Sequence, residues 1–377
     1  MFPYYNYSSF RPLSSVLFLV HFQLLLLVFA LHVAESRNLA EKKTSISAIF
    51  VFGDSTVDSG NNNFIQTISK SNFPPYGRDF PNHTPTGRFT NGKLVTDFLA
   101  SYVGVKDSVP PYLDPSLSIQ ELITGVSFAS AGSGFDPLTP TISNVIPLSG
   151  QLNYLKEYKG KVEAAIGKEK AKEVIRNALF LVSAGTNDFV INYFTIPIRR
   201  QSYTIQSYID FVVKGVRQFL QGLFDQGARR IGVVGLPPMG CLPIVITLFA
   251  DNPFLKRDCI ANFSSIARDF NQILQTELNA MQLQVEEAAS GGARIAYLDA
   301  YSPLEEMTSG HKYGFDVVSS GCCGTGMVEA AFMCNSNSRV CDDATKYVFW
   351  DSIHPTQKSY ELLFQALRPA IDNLVGN

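Results

Sequence analysis

The stretch IFVFGDSTVDSGNNN, Ile49 to Asn63, decides how the rest of the chain is read. An apolar, β-favouring run ends at Gly53, Ser55 follows two positions later, and small and amide residues complete the stretch. Nearly continuous hydrophobicity, as opposed to alternation, marks a strand buried on both faces. Similar runs recur at "VSFASA" from Val126, "ALFLVSAG" from Ala178, "RIGVVGL" from Arg230 and "ARIAYLD" from Ala293. Between them lie helical signals: the charged, amphipathic "KVEAAIGKEKAKEVIRNA", then "YIDFVVKGVRQFLQGLFDQG", which ends in glycine, and "IARDFNQILQTELNAMQLQVEEAAS", with apolar residues three and four apart. This alternation predicts an α/β protein with a parallel sheet of about five strands covered by helices. Functional residues in such sheets gather at the carboxyl ends of strands, where Ser55 stands.

The 377 residues are 46% hydrophobic and 17% charged with a net charge of −2, which supplies a large core but no basic surface for a phosphate backbone. Nucleic acid is therefore excluded as a partner. No linker or charge block divides the chain, so residues 37–377 are expected to form a single domain. Residues 1–36 stand apart, with Arg11, an apolar stretch from Val16 to Ala34, and small residues at Ala34 and Ser36. That pattern predicts a secretory signal peptide cleaved close to Ser36; an uncleaved signal anchor is the alternative. No later segment is long and apolar enough to span a bilayer, so no stable membrane span is expected once the signal is removed.

All six cysteines, Cys241, Cys259, Cys322, Cys323, Cys334 and Cys341, lie beyond the signal, and an even count in an exported chain reads as disulfides. The adjacent Cys322 and Cys323 are expected to bond to different partners. No metal site is expected, because the mature chain has few histidines and no CxxC pair. Sequons at Asn82 and Asn262 fit glycosylation on the same route, and the expected location is extracellular, in the apoplast or cell wall. Two long stretches, 61–115 and 139–150, read as ordered loops that shape a cleft.

A serine hydroxyl becomes a nucleophile when a histidine takes its proton and a carboxylate fixes that histidine's tautomer. The mature chain offers His83, His311 and His354, and only His354, in "FWDSIHPT", has a carboxylate at a useful short spacing, Asp351 three residues earlier. Pro355 steers His354 away from helical geometry and opens the helix that follows, which puts the imidazole at a junction free to face Ser55.

The blocks "FGDSTVDSGNNN", "FPPYGRDF", "PTGRFTNGK", "GVSFASAGSGFDPLT", "SAGTNDF", "GLPPMGC" and "YVFWDSIHPTQKSYELL" together resemble the plant GDSL esterase/lipase family of the SGNH hydrolase superfamily, over essentially the whole mature chain. "SFASAGSGFDPLT" resembles the extracellular, anther-type lipase branch. The resemblance implies a three-layer α/β/α, flavodoxin-like fold and a serine ester hydrolase. Ser55 would be the nucleophile, Asp351 and His354 the acid and base, and the oxyanion hole would combine the N–H of Ser55, the N–H of Gly132 and the side-chain amide of Asn187. Gly134 is the rival to Gly132 as donor, and Arg88 in "PTGRF" either lines the cleft or forms a structural ion pair. Asp54 and Asp188 organise backbone hydrogen bonds on this reading. The chain departs from the family pattern at Thr56, where the family name expects leucine, and at Ser127, where many relatives carry asparagine.

The expected substrate is a small-molecule or lipid ester, with no cofactor and no obligate protein partner. Acyl transfer or polysaccharide deacetylation would use the same residues, and a secreted binding protein that keeps the fold is the non-enzymatic alternative. No G-x-S-x-G pentapeptide occurs, which separates this chain from conventional α/β-hydrolase lipases.

Overall fold

The computed structural model describes residues 46–287, 292–310 and 312–376, together with Met1, Pro3 and Tyr4. Most of the expected signal peptide and His311 lie outside the described residues. Residues 46–376 build around a parallel sheet of β1 (Ile49–Gly53), β2 (Leu179–Ser183), β3 (Arg230–Val234) and β4 (Arg294–Leu298), hydrogen-bonded in that order. Four of the five expected runs thus become its strands.

The fifth run does not. Residues from Val126 lie beside the free edge of β1, where Val51 N donates to Val126 O and Phe128 N donates to Val51 O, but a single bridge, Val51 to Ser127, is all that forms. The sheet has four strands, not five: Ser130 N still donates to Gly53 O at 3.0 Å, but the Gly53 N–H that would complete the next pair goes elsewhere. The side-chain amide of Gln151 accepts from Gly53 N and donates to Gly53 O, both at 2.9 Å. On the outer edge of the run, Asn61 Nδ2 donates to Ser127 O and Ala129 O at 2.8 Å, covering carbonyls that an edge would otherwise expose. The chain therefore leaves β1 on one side and returns as β2 on the other, creating a switch point between their carboxyl ends.

Helices cover both faces. Phe50, Phe52 and Phe180 pack their rings together and against Tyr158 of α2 (Leu148–Ile166) and Phe219 of α4 (Ile205–Asp225). α3 (Lys168–Arg176) follows α2 after Gly167, whose φ of 86° breaks what the sequence predicts as one helix. α5 (Ala261–Glu287) packs beside α4, and α6 (Tyr301–Thr308) follows β4. On the opposite face α7 (Gln357–Val375) lies across β3 and β4 beside α1 (Val95–Tyr102). α1 falls inside the stretch read as loop; it is fixed by Asp97, which accepts from Leu94 N and forms a buried ion pair with Arg88 at 2.8 Å. That pairing settles Arg88 as structural.

A small parallel sheet of β5 (Val317–Gly321) and β6 (Tyr347–Phe349) supports the last block. Around it, Tyr76, Phe89, Trp350, Cys322, Cys323 and Cys334 form a second buried cluster. Disulfides join Cys241 to Cys259, Cys322 to Cys341 and Cys323 to Cys334, so the adjacent cysteines do have different partners and no cysteine is free. Among the described residues no helix is long and apolar enough to cross a membrane.

Candidate active site

Gly53 explains why the strand hands over to Ser55 where it does. At φ 138° its Cα faces β2, and an added Cβ would stand 1.8 Å from Ser183 O, so only glycine lets the chain turn across the strand end. Asp54 N then bonds Ser183 O, and the Asp54 carboxylate accepts from Thr56 N at 3.0 Å and Thr56 Oγ1 at 2.7 Å. Thr56 Oγ1 also meets Ser183 Oγ at 2.9 Å, contacts that leucine could not make. This turn presents Ser55 at the switch point, 8% exposed.

The far end of the chain reaches it. β6 delivers Trp350 and Asp351 into a tight loop closed by Trp350 N donating to His354 O at 2.7 Å, and Thr356 caps α7 by accepting from Ser359 N. Asp351 Oδ1 accepts from Ile353 N at 2.9 Å and His354 N at 2.8 Å, while both carboxylate oxygens lie 2.8 to 2.9 Å from His354 Nδ1. A proton on Nδ1 donates to that carboxylate, which leaves Nε2 as an acceptor. Nε2 lies 2.8 Å from Ser55 Oγ, across 299 residues of sequence. The Phe89 ring packs 5.0 Å from the imidazole, and Thr90 Oγ1 donates to Pro355 O, so "PTGRFTNGK" walls the base side. His83 is exposed, away from this loop, with its Nδ1 against Arg78 O.

The candidate oxyanion donors converge by a different route. Asp58 accepts from Gly60 N and Asn61 N at 2.8 Å and reaches across to Ala131 N at 3.0 Å, while Asn62 Nδ2 donates to Ala131 O. Ser127 Oγ donates to Val57 O. The first block thus holds the backbone on both sides of the residue before Gly132, whose φ of 89° and close approach to Ser143 demand glycine. Asn187, which leads into a π-helical stretch Asp188–Thr195, donates one amide hydrogen to Ser133 O at 2.9 Å and so sits against the same segment. Among the described residues, Ser55 N and Gly132 N donate to no protein acceptor, and the second amide hydrogen of Asn187 is likewise unused. Gly134 N has no protein acceptor among the described residues either, so it stays the rival donor; its lack of a side chain is explained by Asp188, whose Oδ1 a Cβ would meet at 2.1 Å and which accepts from Phe135 N and Asp136 N.

Burial pushes the carboxyls of Asp54 and Asp58 up to about 6 and that of Asp188 to about 7, against the hydrogen bonds they accept. Behind Asp54 and Thr56 an apolar recess runs between the sheet and α7, lined by Leu181, Leu298, Leu363 and Leu367. Among the described residues no group of three or more His, Cys, Asp or Glu side chains is placed to hold a metal ion. Asn82 and Asn262 are both exposed.

Sequence reasoning assigned no role to Tyr76, yet its hydroxyl donates to Asp351 Oδ2 at 2.7 Å in the buried cluster behind the loop. It lies within "FPPYGRDF", but nothing local in that block marks a hydroxyl destined for a carboxylate 275 residues on.

The chain matches the family described as GDSL-like Lipase/Acylhydrolase over residues 49–367. It is similar to a GDSL esterase/lipase of Arabidopsis thaliana, 58% identical over 338 residues, which cover 89% of this chain and 89% of that protein. A second GDSL esterase/lipase of Arabidopsis thaliana is 46% identical over 321 residues, covering 85% of this chain and 88% of the relative. Among solved structures, a lipase from a goat rumen metagenome is 12% identical with a TM-score of 0.37, over 86% of this chain and 97% of that one. The family match and the two Arabidopsis thaliana relatives identify the family and do not single out its anther-type branch.

Proposed function

The chain belongs to the GDSL-like lipase/acylhydrolase family and is a carboxylic ester hydrolase of the serine type, and from that premise we propose that Ser55, His354 and Asp351 are its catalytic triad. The observation that carries this reading is the continuous contact from Ser55 Oγ through both imidazole nitrogens to Asp351. Ser55 Oγ attacks the ester carbonyl carbon as His354 Nε2 takes its proton. The carbonyl oxygen becomes an oxyanion that accepts from Ser55 N, Gly132 N and Asn187 Nδ2, donors without a protein competitor. Collapse of the intermediate breaks the bond to the alcohol, which leaves with the proton from Nε2. Water then attacks the acyl-enzyme with Nε2 as base, and the carboxylic acid and free Ser55 are restored. Asp351 keeps the proton on Nδ1 and stabilises the imidazolium formed in each half.

Expression of the chain beside Ser55→Ala, assayed on p-nitrophenyl acetyl, butyryl, octanoyl and palmitoyl esters, tests the assignment. Loss of nearly all turnover in a folded variant is expected, and full activity overturns it; the chain-length profile separates esterase from lipase. We also place residues 1–36 as a signal peptide and the enzyme outside the cell. Supporting this, all six cysteines are paired and both sequons are exposed. Amino-terminal sequencing of the secreted product, with and without glycosidase, tests it.

A further inference from the structure

The residues behind Asp351 form a second line of contacts that the triad reading leaves unused. Tyr76 is 1% exposed, and its hydroxyl donates to Asp351 Oδ2. The Tyr76 hydroxyl oxygen in turn accepts from Ala331 N at 2.9 Å. Ala331 holds a φ of 50°, a left-handed conformation that a residue with a Cβ adopts only under constraint. The constraint is visible: Ala331 sits within the loop closed by Cys323–Cys334, Cys334 N bonds Ala331 O, and Cys323 N bonds Trp350 O beside Asp351. Glu329 O, in the same loop, accepts from Ser352 N, immediately after Asp351.

We propose that Tyr76 is a positioning residue for the ester hydrolysis, fixing the Asp351 carboxylate against His354, and that the Cys323–Cys334 loop holds Tyr76 in place through the Ala331 N–H. The proposal rests on the triad reading above. Two backbone N–H groups on Oδ1 leave the carboxylate free to tilt about that oxygen. The Tyr76 hydroxyl fixes Oδ2, and with it the direction in which the imidazole must point to bring Nε2 to Ser55 Oγ. A phenol suits this task because it has one proton to give to the carboxylate and a lone pair to accept the Ala331 N–H. Burial and the Asp351 charge push its ionisation well above the ordinary tyrosine value, which keeps that proton in place.

Tyr76→Phe preserves the ring that packs on Phe73, Phe89 and Trp350 and removes only the hydroxyl. The expected result is a kcat lower by about tenfold with KM within about twofold, the factor set by losing a hydrogen bond to a charged group. The low-field proton resonance of His354 Nδ1 should shift or broaden in the same variant. Unchanged kcat overturns the proposal and leaves Tyr76 as packing, and a raised KM with unchanged kcat overturns it by placing the hydroxyl on substrate. The pair Cys323→Ser and Cys334→Ser should also lower kcat in folded protein at constant KM, with no further loss when combined with Tyr76→Phe; unchanged kcat or independent losses overturn the role of the loop. Should Tyr76→Phe not fold, the cysteine pair alone decides. Ser55→Ala run in parallel separates the two readings: activity without Ser55 defeats the triad itself, whereas an inactive Ser55→Ala beside a fully active Tyr76→Phe defeats only the positioning role.

Discussion

Replacing Asp351 by asparagine exchanges one carboxylate oxygen for an amide group, and the hydrogen bonds around the side chain decide which. Oδ1 accepts from Ile353 N and His354 N, so an NH2 group placed there would face two fixed backbone N–H donors, whereas at Oδ2 it would face only the Tyr76 hydroxyl, which can turn its proton away and accept. Each unsatisfied buried donor costs about 1–3 kcal/mol, so the amide oxygen takes the Oδ1 position and the nitrogen takes Oδ2. That nitrogen then donates towards His354 Nδ1, 2.8 Å away. Nδ1 becomes an acceptor, the imidazole proton moves to Nε2, and Nε2 can no longer take the Ser55 proton. The expected loss in kcat is about ten-thousand-fold, the effect of a wrong tautomer in a triad, with KM changed little because Asp351 is fully buried. Hydrolysis of p-nitrophenyl butyrate, with thermal melting to show an intact fold, is the assay. A folded Asp351→Asn enzyme within tenfold of the parent would refute the reasoning.

Gln151→Ala leaves the buried N–H of Gly53 without its acceptor and Gly53 O without one of its donors, so we expect a loss of about 1–3 kcal/mol in urea unfolding; an unchanged midpoint would show that the strand end repacks. Asp58→Ala removes acceptors from Gly60, Asn61 and Ala131, and should lower both stability and kcat because Ala131 precedes Gly132; a folded variant with full kcat would separate this anchor from the oxyanion donors. Asp54, Asp58 and Asp188 bind their protons more tightly folded than unfolded, since burial raises them to about 6, 6 and 7. The stability they contribute is complete below their unfolded values near about 4 and is lost as pH rises through 6 to 7. The melting temperature should therefore be higher at pH 5 than at pH 8, and a curve that falls on acidification across that window would contradict the burial argument.

By itself the sequence determined whatever depends on short-range pattern and composition. Continuous apolar runs found four of the strands, helical spacing placed α4, α5 and α7, and the Asp351 to His354 spacing identified a pair that one loop closes. The family blocks named Ser55, Gly132 and Asn187, and the parity of the cysteines called for disulfides. Only the tertiary structure decided the contacts whose partners lie hundreds of residues apart. The run at Val126 has the composition of a strand, but Gln151 accepts the Gly53 N–H that the run's next pair with β1 would need. α1 was hidden in a proline- and glycine-rich stretch because its stability comes from Asp97 meeting Arg88 and from burial, not from its own pattern. Disulfide connectivity and the Tyr76 hydrogen bond to Asp351 follow from how β5, β6 and the cystine loop pack. A side chain's donor or acceptor is written in its chemistry, whereas the group it meets is fixed only when the core has closed and every buried polar atom must find a partner.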